Sequence, residues 1–307
     1  MYLLPLQNHR QSPRRGTDSF TDTAYSLQKS SIFTESEWRC VDAEQYARHG
    51  ASASHCQLLL REARKIYCGY SLYQTLMNNS RFQFPPGGNR RLLNIAEREG
   101  FNLTSLVYMV GKWLSDYKLS QLRETLNTIY IVGNPTSCAD IFANSLIRMF
   151  HCVLTAHLNE FKLDDFVPVR DTTKLIYFPV VQHDLPFRNP FVNEILKGHA
   201  FSVPHRGDLV DVGEIKCIVR LNSLPKPDTL PTNPQFHLIL RFETESDGIS
   251  FLPCELVEYL RQIRELEGEN DLECKNEFGV LCSTSWLDPP CPTCRLRFDH
   301  ILSNLAE

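Results

Sequence analysis

The stretch Thr128-Ile-Tyr-Ile-Val-Gly-Asn-Pro-Thr-Ser-Cys-Ala-Asp140, running on into Ile141-Phe-Ala-Asn-Ser-Leu-Ile-Arg-Met-Phe150, decides how this chain is read. A β-rich apolar run ends at a glycine and proline turn and passes into an amphipathic pattern, the form of a phosphate-binding loop between a strand and a helix. The working pattern, G-x-x-x-x-G-K-[ST], uses its second glycine for close backbone approach, its lysine for the β/γ-phosphates and its hydroxyl for magnesium. Counted from Gly133 through Asn134, Pro135, Thr136 and Ser137, those three places hold Cys138, Ala139 and Asp140. The shape of the loop is kept while its chemical groups are absent.

Outward from this loop, strands alternate with helices. Thr128 to Val132, Lys174 to Val181, Glu214 to Leu221 and Phe236 to Phe242 are rich in Ile, Val, Leu and aromatics and read as strands. Phe142, Leu146, Met149, Phe150 and Val153 give the first strand a helix directly after the loop, and Pro253 opens a last helix with Leu256, Leu260 and Ile263 on one face. This is the grammar of an α/β sheet with flanking helices. Before it the pattern is helical: Leu59, Ala63, Ile66, Tyr67 and Tyr70 share a face, Pro85-Pro-Gly-Gly88 breaks the chain, and a short helix from Leu92 to Glu99 ends at Gly100. Leu106, Met109, Val110, Trp113, Leu114 and Tyr117 then repeat at helical spacing. The predicted organisation is a mobile arm over 1–32, a helical bundle over 33–120, a P-loop-type α/β domain over 121–268 and a cysteine-containing tail over 269–307.

Of the residues, 42% are hydrophobic and 22% charged, as in soluble globular proteins. No apolar run approaches the roughly 18 to 20 residues that cross a bilayer, and Met1-Tyr-Leu-Leu-Pro-Leu6 is too short for a signal peptide, so an intracellular protein without membrane contacts is expected. The 11 cysteines are odd in number and most stand singly among apolar neighbours, which fits reduced thiols better than a disulfide framework. A net charge of −4 and a pI near 6.2 exclude an overall polycation, so any nucleic-acid contact must be a local patch. Arg10, Arg14 and Arg15 offer either such a patch, a nuclear-import signal or simply a solvated tail.

An ordered series of segments resembles the superfamily 3 helicase part of parvovirus replication proteins, most closely the Rep proteins of adeno-associated viruses. Glu37-Trp-Arg-Cys-Val-Asp-Ala-Glu-Gln-Tyr46 and Ala51-Ser-Ala-Ser-His-Cys-Gln57 are similar to the entry of that family's helical oligomerisation region. Leu93-Asn-Ile-Ala-Glu-Arg-Glu-Gly-Phe101 and Val107-Tyr-Met-Val-Gly-Lys-Trp113 are similar to its last helices. Asn127 to Gly133 resembles the strand before the phosphate loop, and Ile195-Leu-Lys-Gly-His199 the turn that opens the DNA-tracking hairpin. Cys217-Ile-Val-Arg-Leu-Asn222 resembles the sensor strand, with Asn222 as its sensor residue, and Leu240-Arg-Phe-Glu243 the strand after it. The resemblance implies an AAA+-type α/β core, and His199, His205 and Arg206 as candidate hairpin contacts to DNA, offset by Asp208. It also implies a captured parvoviral gene in a larger DNA virus, such as an early gene of an avian adenovirus.

The departures bear on activity. The magnesium-binding strand of the family ends in two carboxylates, where this chain has Val180 and Val181, and the arginine-finger place falls at His237 or Leu238. The His-hydrophobe-His and tyrosine motifs of the family's nickase domain find no match. Losing the lysine removes a charge-assisted hydrogen bond of roughly 1.5 to 3 kcal/mol. Asp140 adds repulsion of around 3 kcal/mol for each phosphate charge at about 5 Å and an effective dielectric near 20. Nothing in the pattern positions magnesium or a water, so neither ATP nor magnesium is expected as a cofactor and no residue is assigned a catalytic role. Asp140 instead reads as a helix cap, its carboxylate taking the N–H groups a phosphate would otherwise satisfy. His183-Asp184 is no acid/base pair, since neighbours on a strand face opposite ways.

In the tail, Cys291-Pro-Thr-Cys294 is a zinc-type knuckle that Cys282 and His300, or Cys274, could complete; the alternative is a reduced, loop-rich segment. The resulting expectation is a non-catalytic Rep-like protein of the host nucleus that acts on viral replication or transcription. Its expected partners are itself or related Rep-type subunits, DNA, and viral or host replication proteins. The alternatives are a divergent ATP-dependent helicase and an interaction module built on a zinc tail.

Overall fold

A computed structural model describes residues 19–50, 52–79, 82, 90–115, 126–157, 160–181, 189–224, 236–248, 250–265 and 274–283. The chain divides into two compact units, Met1–Ile66 and Tyr67–Glu307.

In the first unit, α1 (Phe20–Lys29), α2 (Glu35–Val41), α3 (Ala43–His49) and most of α4 (Ala53–Cys68) enclose a small core of Ala24, Leu27, Ile32, Trp38, Cys56, Leu59, Leu60 and Ala63. The expected mobile arm over 1–32 is corrected at its end. Ser19 and Asp22 form a reciprocal capping box that starts α1, and Ala24 and Leu27 are fully buried. A second box, Thr34 with Glu37, starts α2 and places Trp38 in the core, where its indole N–H donates to Gln45 Oε1 at 3.1 Å.

The second unit begins with α5 (Leu72–Asn78), α6 (Arg91–Arg98) and α7 (Leu103–Leu114). These were expected to close a separate bundle with the helices before them. Instead Leu106, Met109, Val110, Trp113 and Leu114 share one core with Ile129 and Ile131 of the sheet and with Leu256 and Leu260 of the last helix. The reason is legible in α7, whose apolar residues cover more of the helix than one stripe, so it needs neighbours on several sides. Gly111 lets α7 pack closely against α11, since a Cβ there would lie 2.9 Å from the Leu260 side chain. Tyr117 and the Pro85–Gly88 break lie outside the described residues.

The sheet has five parallel strands: β1 (Thr128–Gly133), β2 (Val153–Thr155), β3 (Leu175–Val181), β6 (Lys216–Leu221) and β7 (His237–Phe242), in the order β2-β3-β6-β1-β7. The hairpin β4 (Phe201–His205) and β5 (Asp208–Val212) is inserted between β3 and β6. The four predicted strands are all present. Fully buried β1 and β6 read as near-continuous apolar runs, as parallel strands covered on both faces do. Among the described residues, four further helices belong to the unit: α8 (Ala139–Ile147), the short α9 (Leu163–Phe166), α10 (Pro190–Lys197) and α11 (Pro253–Glu265), with a 3-10 segment at Val167–Thr172. The helix after the loop ends at Ile147, so Val153, predicted to belong to it, opens β2 instead. Cys152, with φ 57°, turns the chain between them.

The expected tail over 269–307 is also corrected where it is described. Residues 279–281 run beside β7, with Ile239 N–H donating to Gly279 O and Leu281 N–H to Ile239 O, both at 2.8 Å. Cys274, Val280, Leu281 and Cys282 are buried against the sheet. An uncovered edge strand offers unpaired backbone groups, and this segment closes one.

Candidate functional site: a closed phosphate loop

β1 and β6 are neighbours whose following connections leave in opposite directions, β1 towards β2 and β6 across β1 to β7. The crevice beyond their carboxyl ends is a topological switch point, where open α/β sheets place ligands. The loop from Gly133 to Asp140, which joins a strand to a helix as predicted, lies there.

Four of its backbone donors are turned inward. Thr136 N–H donates to Asn134 Oδ1 at 3.1 Å, Ser137 N–H to Asn134 O at 3.1 Å, Cys138 N–H to Thr244 O at 3.3 Å and Ala139 N–H to Ser137 Oγ at 3.3 Å. These are the successive amides that would cradle a phosphate, and each already has an acceptor within the chain. Pro135 has no N–H to offer. Gly133 is required by packing, since a Cβ there would lie 2.7 Å from Phe242 O and 2.3 Å from Ser137 Oγ.

The cation of the site comes from the neighbouring strand. Arg220, the penultimate residue of β6, is fully buried, and its Nε donates to Asp140 Oδ1 at 2.6 Å. Nη1 donates to Gly133 O at 2.9 Å and also to Leu221 O, and Nη2 donates to Asn134 O at 3.2 Å. A guanidinium withdrawn from water needs an anion and enough acceptors, and the loop supplies both. Tyr177 of β3 is close enough to feel the two charges: burial and Asp140 raise its phenol above the usual value, and Arg220 opposes them.

This corrects the role given to Asp140. The residue at the helix cap is Cys138, with no side-chain cap bond, and Asp140 sits in the first turn with its carboxylate on Arg220. The competing principle is charge pairing: a buried arginine binds a carboxylate more strongly than the helix amides do. Arg220 is not singled out by any local motif, although an arginine following the apolar run Cys217-Ile-Val219 inside a buried strand is the kind of residue that demands a partner.

Two further carboxylates brace the loop and the helices beside it. Glu99, buried at the end of α6, accepts the N–H of Glu243 at 2.8 Å and the hydroxyl of Thr244. Thr244 Oγ1 in turn lies 4.0 Å from Cys138 Sγ. Glu255 of α11 accepts Leu92 N–H at 2.8 Å at the start of α6.

The other predicted site residues fall as follows. Val180 and Val181 are the last two residues of β3. Asn222 follows β6, and its Oδ1 is buried with no hydrogen-bond partner among the described residues. His237 is fully buried, its Nε2 3.0 Å from Phe278 O and its ring edge-on to Tyr130. Leu238 is buried in the core.

The hairpin exists where expected. Asn127 Nδ2 donates to Ile195 O at 2.8 Å and Ile215 O at 3.1 Å, and Thr128 Oγ1 to Leu196 O at 2.6 Å, which fixes the end of α10 against β1. Gly198 then takes the left-handed conformation, φ 74°, and Arg206 and Gly207, at φ 52° and 91°, form the tip. Only part of the expected basic contact set is presented. His199 Nδ1 lies 3.1 Å from Glu194 Oε2 and His205 Nδ1 3.0 Å from Asp164 Oδ1, leaving Arg206 exposed between these paired residues and Asp208.

Cys282 is buried beside the sheet, while Cys291, Cys294 and His300 lie outside the described residues, as do His183 and Asp184. No cluster of three metal-binding side chains occurs among the described residues.

Residues 13–162 match the family Parvovirus non-structural protein NS1. The chain is also 41% identical over 209 residues to the uncharacterised protein ORF12 of Fowl adenovirus A serotype 1, covering 66% of this chain and 99% of that protein. This chain belongs to the parvovirus NS1-like family of that adenovirus protein. It is a viral protein with a helicase-like α/β domain preceded by helices, and the resemblance drawn from the ordered segments holds. Among solved structures, the apo NrS-1 C-terminal region is similar with a TM-score of 0.38 and 10% identity, over 67% of this chain and 52% of that one. This chain thus spans about half of it. A crystal structure of JCV helicase with a bound small molecule is similar with a TM-score of 0.34 and 12% identity, over 92% of this chain and 77% of that one. At scores this low the two add nothing to the strand order described above.

Proposed function

We propose that this NS1-like chain is a non-catalytic member of its family, a pseudo-helicase whose nucleotide loop is held shut by its own residues. It acts on viral DNA replication or transcription by assembling with itself or with related Rep-type subunits and by binding DNA or replication proteins. Its place of action is the host nucleus, and neither ATP nor magnesium is its cofactor.

The observation that carries this reading is the Arg220 guanidinium bonded to Asp140 and to the carbonyls of Gly133 and Asn134. A nucleotide phosphate at this loop would meet Ala139 where catalysis needs a lysine, the Asp140 carboxylate where it needs a magnesium-binding hydroxyl, and four amides that already have acceptors. The family's two carboxylates are replaced by Val180 and Val181, which supports the same conclusion. Among the described residues no helix is long and apolar enough to cross a membrane.

Calorimetric titration with Mg-ATP, followed by a phosphate-release assay, tests the loop. The expected result is no saturable binding and no turnover above buffer. Mixing the protein with an active Rep-type helicase tests the action: mixed oligomers should form and ATPase activity should fall. Saturable Mg-ATP binding with turnover would overturn the non-catalytic reading, and failure to associate with any Rep-type subunit would overturn assembly.

A further inference from the structure

We propose that the β4–β5 hairpin is a strand-addition site for a partner protein, and that it takes an extended segment in which arginine or lysine alternates with apolar residues. The inference deepens the function proposed above, on which it rests for the existence of protein partners, by naming the surface that meets them and their chemistry.

The hairpin is fastened along one edge and open along the other. Val203 and Val212 are buried in one core with Val192 and Ile215. Arg170, in the 3-10 segment before β3, donates from Nε to Asp211 O at 2.9 Å and so covers the β5 edge. Because the Asp211 carbonyl points out of the hairpin, antiparallel pairing turns the backbone of its partner Ser202 outward on the β4 edge, and that of Pro204 two residues on. Ser202 N–H, Ser202 O and Pro204 O have no hydrogen-bond partner among the described residues. Pro204 has no N–H to pair, which suits it to an edge.

The same residues carry an open face. Side chains alternate along a strand, so Ser202, Pro204, Leu209 and Asp211 lie on the side away from the core. Ser202 Oγ donates to Asp211 Oδ1 at 2.6 Å, and Pro204 stands opposite Leu209. Leu209 is 73% exposed, the most of any large hydrophobic side chain among the described residues. An added strand gains backbone hydrogen bonds from the edge and covers this leucine with every second side chain.

Charge selects the occupant. Asp208, Asp211 and Glu214 are exposed on the hairpin and just after it, and Asp164, Asp165 and Asp171 are exposed on α9 and the 3-10 segment that hold it. The cations of the same elements are Arg206, Lys162 and Arg170, and the last is engaged by the carbonyls of Asp211 and Val167. The excess is negative, which repels a phosphate backbone and attracts a cationic segment. The hairpin of this chain therefore departs from the DNA contact implied by the resemblance.

The test titrates the full chain with a short fluorescent peptide of alternating arginine and leucine and follows anisotropy. Saturable binding is expected, weakening as salt rises. Leu209→Ser should weaken it by about tenfold, while Leu58→Ser, which removes an exposed leucine of the first unit, should leave it unchanged. The same peptide with alternate backbone nitrogens methylated keeps its charge but cannot pair as a strand, and should also bind about tenfold more weakly. If Leu209→Ser unfolds, the methylated peptide on wild type decides alone. Equal binding of the two peptides, equal loss in the two leucine variants, or displacement of the peptide by single-stranded DNA overturns the proposal. The Mg-ATP and mixing experiments fail independently of this one, so loss of the proposed function and loss of the docking edge are told apart.

Discussion

Glu99, at the end of α6, holds Thr244, just beyond β7, by accepting its hydroxyl, while the same carboxylate accepts the N–H of Glu243 at 2.8 Å. An acidic residue at a helix C-terminus opposes the helix dipole, so its position there needs compensation, which the β7 turn provides. The contact ties the helices before the sheet to the turn that accepts Cys138 N–H, and hence to the phosphate loop. Glu99→Ala is expected to destabilise the second unit by about 3 kcal/mol, since charged hydrogen bonds are lost and buried donors are orphaned. Denaturant unfolding reads this directly, and a change below about 0.5 kcal/mol would show that the carboxylate is incidental.

Arg220→Met removes the cation and leaves Asp140 and two loop carbonyls without it. A loss of about 3 to 5 kcal/mol is expected, as for other broken buried pairs. The double variant Arg220→Met with Asp140→Leu should lose less than the sum of the single changes, with a coupling of about 1 to 3 kcal/mol. Strict additivity in that cycle would show that the two residues do not act as a pair.

Gly133→Ala places a Cβ against the backbone oxygen of Phe242, 2.7 Å away, and against Ser137 Oγ. A backbone atom of a paired, buried strand cannot easily step aside, so a cost of about 2 kcal/mol or more is expected without any effect of charge. Thermal unfolding measures it, and a neutral result would mean that the loop stands further from β7 than these distances.

The joint between α10 and the hairpin carries a pH signature. Lys197 and then His199 hold the Glu194 carboxyl below its usual value by hydrogen bonding. A carboxyl lowered on folding contributes stability above its unfolded value, about 4.3, and that contribution is lost as pH falls through the folded value. The Tm difference between wild type and Glu194→Gln should be present at pH 6 and shrink as pH falls below the unfolded value of about 4.3. A difference that does not shrink with falling pH would assign the effect to packing rather than charge.

Residues 274–283 cover the edge of β7, so a chain ending at 268 should expose Ile239, Leu240 and Phe242 surroundings and aggregate, whereas one ending at 283 should fold. Size-exclusion chromatography of the two truncations separates these outcomes. Equal behaviour would return this segment to the status of a tail.

The strands and the loop were legible because buried parallel strands are written as apolar runs, and Thr128 to Val132 and Phe236 to Phe242 are of that kind. Helix starts were less so. Ser19 and Asp22 spell a capping box, but the polar residues around them look like a solvated arm until Ala24 and Leu27 are seen against Trp38 and Leu59. What the sequence concealed at the site was a partnership across distance. Asp140 was read by its local neighbours, and Arg220, 80 residues on, by its strand; neither position alone says that parallel pairing brings them together. Two charges, each out of keeping with its surroundings, were the available sign. The hairpin was foreseen by resemblance, but the carboxylates that engage His199 and His205 were not, because Asp164 lies in a separate segment.

The Arg220–Asp140 pair ties β6 and the loop into one unit of substitution. A lysine at Ala139 alone would add a second cation to a loop that already engages Arg220, and a hydroxyl at Asp140 alone would leave that arginine in the interior without its carboxylate. Each single change is expected to pass through a less stable protein, so the two positions are expected to change together or not at all.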